Sequence, residues 1–490
     1  MSLAINLEYQ PYVPLFRRLS DALRKAILEG RLRNGEALPS TRELAATMKL
    51  SRATVLKAFD DLAAQGLIKS VPGKGLFVCY RSAVETVAAD RSIVQKTLHL
   101  SPYAERVLAL RGYESIVHLP ATNFGGPTAE LSPLHEWRQL LFRYCRRSFL
   151  SESSELSQIS DEMEPFGFEP LRQALAAYLQ RARAVSSTAD RIALFSTKQA
   201  RLELIARILI DEGDLVAFED PGYPEARHLF LSHGARVLSV PVESDGINVE
   251  WLMQKRLPIK FVYVTPSHHD PTGVVLSMEK RIQLLNWART TGAYIIEDDY
   301  DCEYSYGKKP MPSLMGMDRD DSVIYLASLW KVLFQVNRFG IVVLPQSLTP
   351  PAVQAKLHME RHLPLLEQLA LTDFINEGLL ERHVRRTQQR LSRKRQTVIQ
   401  ALTEHMQTLL TIPRETAGMH LLVRFFESVS EPDIERSASE CGVSITGTSA
   451  YYAHEKRCHG EYIIPFACTD ETETAEAIAQ WAARIKELQS

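Results

Sequence analysis

Apolar residues recur every four positions at Leu15, Leu19, Leu23 and Ile27, with Phe16 and Ala26 beside them and Gly30 just beyond. That spacing predicts an amphipathic helix over residues 14–29 that faces a core and stops at the glycine. Ser40-Thr41-Arg42-Glu43 has the form of a capping box. The serine hydroxyl accepts from one free amide and Glu43 reaches back to another, so a short helix is expected through Met48. Ser51 can cap a third helix whose Val55, Phe59 and Leu62 point inward and which ends at Gly66. Two short apolar segments, Leu67 to Val71 and Leu76 to Cys79, flank Pro72-Gly73-Lys74-Gly75 and predict a hairpin. Three helices and a hairpin wing within residues 1–80 predict a winged helix-turn-helix.

Residues 81–115 are polar with scattered apolar positions and no sustained period, as in a linker carrying a short helix or two. From residue 116 to 490 strand-like apolar runs alternate with helical patterns. The runs are Leu215 to Glu219, Val237 to Val242, Ile259 to Thr265, Ala293 to Asp298, Val323 to Ser328 and Ile341 to Leu344, and Ile282, Leu285 and Ala288 trace a helix stripe between two of them. Continuous runs of this kind fit strands covered on both faces, so a large α/β domain with a mostly parallel sheet is expected. Ligands of such sheets sit at the carboxyl ends of strands.

Charge sharpens this division. The 490 residues carry a net charge of -2, but residues 1–80 have 12 Lys or Arg against 7 Asp or Glu, so the small front part is basic and the remainder acidic. A basic front end suggests an anionic partner such as nucleic acid. No stretch approaches the roughly 18 to 20 apolar residues of a membrane span, and the first 28 residues lack the apolar core of a signal peptide, so a cytoplasmic protein with no membrane partner is expected. The six cysteines are scattered with no CxxC pair; they read as buried thiols, with no metal site.

The third helix places Ser51, Arg52, Thr54 and Lys57 near its start, where the positive end of its dipole can face a DNA groove. Arg52 is the candidate for reading a base edge. Arg42 on the preceding helix, with Gly73 and Lys74 on the wing, are candidates for phosphate or minor-groove contact, which gives register more than sequence information. From VPLFRRLSDALRKAILEGRLRNGEALPSTRELA through SRATVLKAFDDLAAQGLI to PGKGLFV, residues 13–78 resemble a GntR-family DNA-binding domain. The resemblance implies binding to a double-stranded DNA operator, normally as a dimer on two half-sites.

The strand ends carry further candidate chemistry. The run Ile295 to Asp301 delivers Asp298, Asp299 and Tyr300 as one strand stops, and another ends in Ser328-Leu329-Trp330-Lys331 with Arg338 seven residues on. These are the parts of a pyridoxal-phosphate site. The aldehyde needs a lysine amine, the ring nitrogen a carboxylate to stay protonated as an electron sink, and the phosphate hydroxyls and a guanidinium. Lys331, Asp298, Ser328 and Arg338 supply these, while Tyr300 can bond the ring phenolate oxygen and Tyr223 can stack on the ring.

In order along the chain, EPFGFEPLRQALAAYLQRARAV, LIARILIDEGDLVAFEDPGYPEA, VTPSHHDPTGVVLS, IIEDDYDCEYSY, YLASLWKVLFQVNRFGIVVLP and AGMHLLVRF resemble a fold-type I, PLP-dependent aminotransferase. Joined to the front domain, the whole resembles the MocR/GabR subfamily of GntR regulators. The resemblance implies Lys331 as the imine lysine, Asp298 as the ring-nitrogen partner, Tyr300 as the phenolate partner, Ser328 and Arg338 as phosphate anchors, and a homodimer. Several positions depart from the family. In the phosphate cup, Phe195 to Leu202, with Ser196 and Lys198 as candidate cofactor contacts, Thr197 replaces a glycine, and Lys198 either compensates as a point charge or is merely exposed. Asp270 stands where Asn or an aromatic residue is usual, to repel the phenolate or bind a proton, and Trp330 replaces a serine, crowding or filling the phosphate side. Ile463 stands where a carboxylate-clamping arginine is expected, unless Arg457 substitutes.

Three functions are open to such a chain. The first is a regulator whose aminotransferase-like domain binds pyridoxal phosphate and senses a small amine or the cofactor itself, moving the large domains relative to their winged helices. The second is a regulator with a degenerate domain that does not hold the cofactor covalently, and the third is a competent aminotransferase with a tethered DNA-binding domain. The absent arginine counts against the third, because turnover requires clamping carboxylates.

Overall fold

The computed structural model describes residues 12–80, 100–110, 129–148, 164–306, 311–413, 418–426, 429–453, 460–468 and 470–489. Most of the segment read as a linker lies outside the described residues, as do Arg457 and Cys458. The chain divides into two compact units, residues 1–99 and 100–490.

In the first unit, α1 (Leu15–Leu28), α2 (Thr41–Met48) and α3 (Arg52–Ala64) precede the antiparallel hairpin of β1 (Ile68–Val71) and β2 (Gly75–Val78). Leu19, Leu23 and Ile27 of α1 pack with Val55, Phe59 and Leu62 of α3 in one apolar core. Each such buried side chain stabilises the unit by about 1.5–3 kcal/mol. Leu15, expected in that row, is 47% exposed, because it lies one turn beyond the end of the core. The capping box forms as expected: Glu43 N donates to Ser40 Oγ (3.2 Å) and Ser40 N to Glu43 Oε2 (2.9 Å). Ser51 caps α3 through Thr54 N (3.1 Å). At the hairpin tip Lys74 N donates to Val71 O (3.0 Å), and Gly73 has φ +74°, a value a side chain would make costly.

The second unit is built on an eight-stranded sheet. Its strands are β3 (Ile192–Phe195), β4 (Leu215–Asp220), β5 (Arg236–Glu243), β6 (Gly246–Ile247), β7 (Ile259–Val264), β8 (Tyr294–Asp299), β9 (Val323–Ser328) and β10 (Gly340–Val343). The spatial order is β3-β10-β9-β8-β7-β4-β5-β6. Neighbours from β9 through β8, β7 and β4 to β5 are parallel. Alternate residues enter different cores: Ile192 and Leu194 pack on one face of the sheet, Ala193 and Phe195 on the other. That double burial is why the strands read as unbroken apolar runs. The sheet is mixed, since β10 runs antiparallel to both β9 and β3, and β6 returns antiparallel beside β5.

A second, antiparallel sheet has the order β11 (Leu410–Thr411), β12 (His420–Phe425), β14 (Glu461–Pro465) and β13 (Thr446–Gly447). The helix Pro102–Ala109, inside the segment read as linker, packs on the large unit: Arg106 Nε donates to Ser232 O (2.9 Å) and Tyr103 meets His233 edge-on. In the helix Met278–Thr291 the buried residues are Arg281, Leu284, Trp287 and Ala288, whereas Ile282 is 49% exposed. Arg281 turns the helix from its expected stripe by donating to three backbone carbonyls, those of Leu276, Pro312 and Pro266. Of the cysteines, Cys302 is buried while Cys79, Cys145, Cys441 and Cys468 are half-buried, and none of these five is in a disulfide. Among the described residues no helix is long and apolar enough to cross a membrane, and no group of His, Cys, Asp and Glu could hold a metal ion.

Candidate functional site

On the first unit Arg42, Arg52, Lys57, Gly73 and Lys74 are exposed, and Thr54 is half-buried. The Ser51 and Thr54 hydroxyls lie 2.7 Å apart, so both serve the start of α3. Lys57 Nζ stands 4.2 Å from the centroid of the Phe16 ring, which holds its stem along α1. Arg52 is the exposed cation at the mouth of the helix, where the first-turn amides and the dipole add positive potential.

In the second unit the carboxyl ends of β4, β7, β8 and β9 surround a cavity of about 440 Å³. Strand alternation sorts the three acids of β8. Glu297 and Asp299 point to one face, where Glu297 accepts from Leu314 N and Met315 N (2.8 and 2.9 Å) and Asp299 pairs with Arg183 (2.7 Å). Asp298 points into the cavity, which is also lined by Tyr223, Lys198, Tyr300, Ser328, Lys331 and Arg338. Seven of the eight cofactor candidates are thus brought together. Ser196 is not: it is exposed, its amide donates to the Glu360 carboxylate (3.1 Å), and Thr197, Lys198 and Gln199 line the cavity in its stead.

Thr197 is extended, with φ −145°, and its hydroxyl accepts from Ala200 N (3.1 Å) as N-cap of the helix Lys198–Leu209. The backbone at this position therefore demands no glycine. Lys198 bonds Tyr223 and pairs with Glu225 (3.0 Å), so its charge is compensated at the cavity wall. Trp330 forms part of the wall, edge-on to Phe334, and leaves the cavity open. Ile463 sits between β12 and β13 in an apolar patch with Leu422 and Tyr451, and lines the cavity.

Lys331 is buried, its Nζ 3.4 Å from Asp301 Oδ2 and 4.6 Å from the Tyr300 ring centroid. Asp301 Oδ1 accepts from His268 Nδ1 (2.7 Å). Burial works to raise the Asp301 carboxyl, but His268 and Lys331 beside it outweigh that and hold it at about 2. Gly418 roofs this pair at φ +97°; a Cβ there would stand 3.2 Å from Asp301 Oδ2. Burial pushes Asp270 up to about 7 against the pull of Lys331 and Lys198. It lowers His420 to about 4, with Lys331 acting in the same direction. Neutral His420 spends Nε2 on Pro271 O (3.2 Å), while its Nδ1 and the Tyr300 hydroxyl are buried without a partner.

Asp301 and Arg201 are the residues that sequence reasoning missed. Arg201 is fully buried, with Nη2 donating to Asp298 Oδ1 (2.6 Å), and the Tyr263 hydroxyl donates to Asp298 Oδ2 (2.6 Å). The available signal was helical spacing: Arg201 continues the buried stripe of Leu204, Ile205 and Leu209, an unusual place for an arginine unless it is paired.

Comparison with known proteins defines the class. Residues 15–78 match the family described as "Bacterial regulatory proteins, gntR family", and residues 128–479 match "Aminotransferase class I and II". The "Probable rhizopine catabolism regulatory protein MocR" of Rhizobium meliloti is 33% identical over 98% of this chain and 95% of its own length. The "HTH-type transcriptional regulator TauR" of Rhodobacter capsulatus is 29% identical over 80% of each. Among solved structures, the alpha-aminoadipate aminotransferase LysN from Thermus thermophilus, complexed with N-(5'-phosphopyridoxyl)-L-leucine, superposes with a TM-score of 0.69 at 25% identity, covering 79% of this chain and 97% of that one. The fold is a GntR helix-turn-helix joined to a fold-type I aminotransferase domain, and the protein is a transcriptional regulator. The chain belongs to the MocR subfamily of the GntR regulators.

Proposed function

We propose that this regulator binds an operator through its winged helix and pyridoxal phosphate through Lys331, acts in the cytoplasm as a homodimer, and senses a small amine that lacks a carboxylate. The observation that carries this reading is the cavity, where a buried lysine, a strand-end aspartate, a tyrosine hydroxyl without a partner, a serine and an arginine converge. Its size suits a small cofactor, and its donor set fits this one. Lys331 would offer the amine, Arg338, Ser328 and the first turn of the helix Lys198–Leu209 the phosphate site, and Tyr300 and Asp298 would face the phenolate and the ring nitrogen. When bound, pyridoxal phosphate supplies an aldehyde carbon to which amines add and a ring that withdraws electrons.

Of the two arginines that line the cavity among the described residues, Arg201 is committed to Asp298 and Arg338 would serve the phosphate, so among these residues a substrate carboxylate finds Ile463 instead of a guanidinium. Asp270 and the free Nδ1 of His420 are acceptors, suited to ammonium and hydroxyl donors. The test is the visible spectrum with added cofactor, borohydride reduction and intact mass. A lysine-dependent band and a trapped adduct are expected. Their absence would favour a domain that keeps only the fold, a reading for which the occupied carboxylate of Asp298 speaks.

Because Asp270 titrates at about 7, a cationic amine should bind more tightly as pH rises through neutrality. Calorimetry on Asp270→Asn should show a flatter pH profile; an unchanged profile would remove Asp270 from the effector site. On DNA, Arg52→Ala should weaken specific binding by about 1–3 kcal/mol if the side chain reads a base edge. Lys74→Ala should instead lower affinity on all sequences and reduce the slope of log K against log salt by about one. Equal losses on operator and random DNA for Arg52→Ala would make it a phosphate contact.

A further inference from the structure

A carboxylate keeps a neighbouring ring nitrogen protonated through its uncompensated charge, and at Asp298 that charge is paired with Arg201. Asp298 is already the acceptor of two buried donors, the Arg201 guanidinium at 2.6 Å and the Tyr263 hydroxyl at 2.6 Å. Neither donor is free to leave. Arg201 Nη1 is fastened to Ala327 O, and its stem passes Gly340, where a Cβ would stand 3.4 Å from the arginine Cδ and 2.7 Å from Thr197 O. Tyr263 lies in a parallel stack with Phe218, ring centroids 4.8 Å apart. The arginine Nε is buried with no partner.

A carboxylate stabilises a neighbouring cation through its net charge, and that stabilisation falls when an opposite charge is paired to the same carboxylate. We propose that Arg201, by neutralising Asp298, keeps the ring nitrogen of bound pyridoxal phosphate unprotonated, so that this domain holds an effector amine on the cofactor's aldehyde carbon, with Lys331 released as the free amine, without carrying it through transamination. Arg201 is here a positioning and tuning residue of a sensor. A neutral ring withdraws electrons weakly, so the α-carbon proton of a bound amine stays in place and the amine remains bound long enough to report its presence. This rests on the reading that Lys331 binds the cofactor.

The experiment is solid-state 15N NMR of the full-length protein loaded with ring-15N pyridoxal phosphate, with the free cofactor at acid and alkaline pH as standards. At neutral pH the wild-type signal is expected at the free-base position, and the signal of Arg201→Ala at the pyridinium position. The wild-type spectrum decides alone if the variant does not fold. A pyridinium signal in the wild type would overturn the proposal, and so would a free-base signal in a folded Arg201→Ala. Equilibrium dialysis run alongside separates the two readings: no retained cofactor means that the cofactor site itself is wrong, whereas retained cofactor with a protonated ring removes only the role of Arg201.

Discussion

Lys331→Ala is expected to abolish the covalent adduct with pyridoxal phosphate and to disconnect DNA binding from the effector. The amine is buried at the junction of β9 and the following turn, within reach of Asp301 and the face of Tyr300. Among the described residues no other lysine is placed to replace it: Lys198, the second lysine of the cavity wall, is tied to Tyr223 and Glu225. Allosteric couplings commonly amount to about 1–3 kcal/mol, or roughly 5- to 150-fold in affinity. The ratio of operator affinities with and without effector should therefore fall from that range to one. Fluorescence anisotropy on labelled operator, with cofactor and candidate amines, measures it. A variant that still responds to the same amine would show that sensing does not pass through Lys331.

Arg183→Leu should produce the largest loss of stability. Its guanidinium is almost wholly buried and bonds three partners: Asp299 (2.7 Å), Met311 O (3.0 Å) and Ser267 (2.6 Å). Removing it leaves the Asp299 carboxylate uncompensated in the interior, which typically costs about 3–5 kcal/mol. Burial works to raise Asp299, but Arg183, with hydrogen bonds from Ser267 and Tyr325, holds it below its ordinary value. A carboxyl depressed in the folded state contributes stability that is complete above its unfolded pKa of about 3.9 and is lost as pH falls through the folded value. Thermal unfolding should therefore show a large deficit at neutral pH that narrows in acid. Arg183→Leu combined with Asp299→Leu should recover much of the loss, since the pair rather than either group is what the core tolerates. A double variant no better than the single one would place the damage elsewhere.

The sites differ in how far they were legible. Lys331, Asp298, Tyr300 and Ser328 stand at or just past the ends of β8 and β9, where a parallel sheet collects its ligands, and Arg338 stands two residues before β10, so strand ends and residue chemistry were enough to expect them around one cavity. Asp301 lies two residues past β8, and only the fold of distant segments makes it the partner of His268 and Lys331. Arg201 drew no sequence reading, because its partner Asp298 lies 97 residues away. Arg281 likewise overrode the stripe of Ile282, since backbone carbonyls from three other positions reward a buried guanidinium more than the helix gains from one more apolar contact.

The sequence by itself determined the elements whose causes are local. The capping box at Ser40, the cap at Ser51, the turn at Gly73 and the both-face burial of β8 and β9 follow from contacts within a few residues or from hydropathy along one strand. Tertiary structure alone decided the antiparallel insertion of β10, the four-stranded sheet that carries Ile463, and the charge state of the cavity. Sheet order depends on which strands meet after long loops close. The ionisation of Asp270 and Asp301 depends on burial and on charges that the chain brings from far along its length, for which periodicity holds no record.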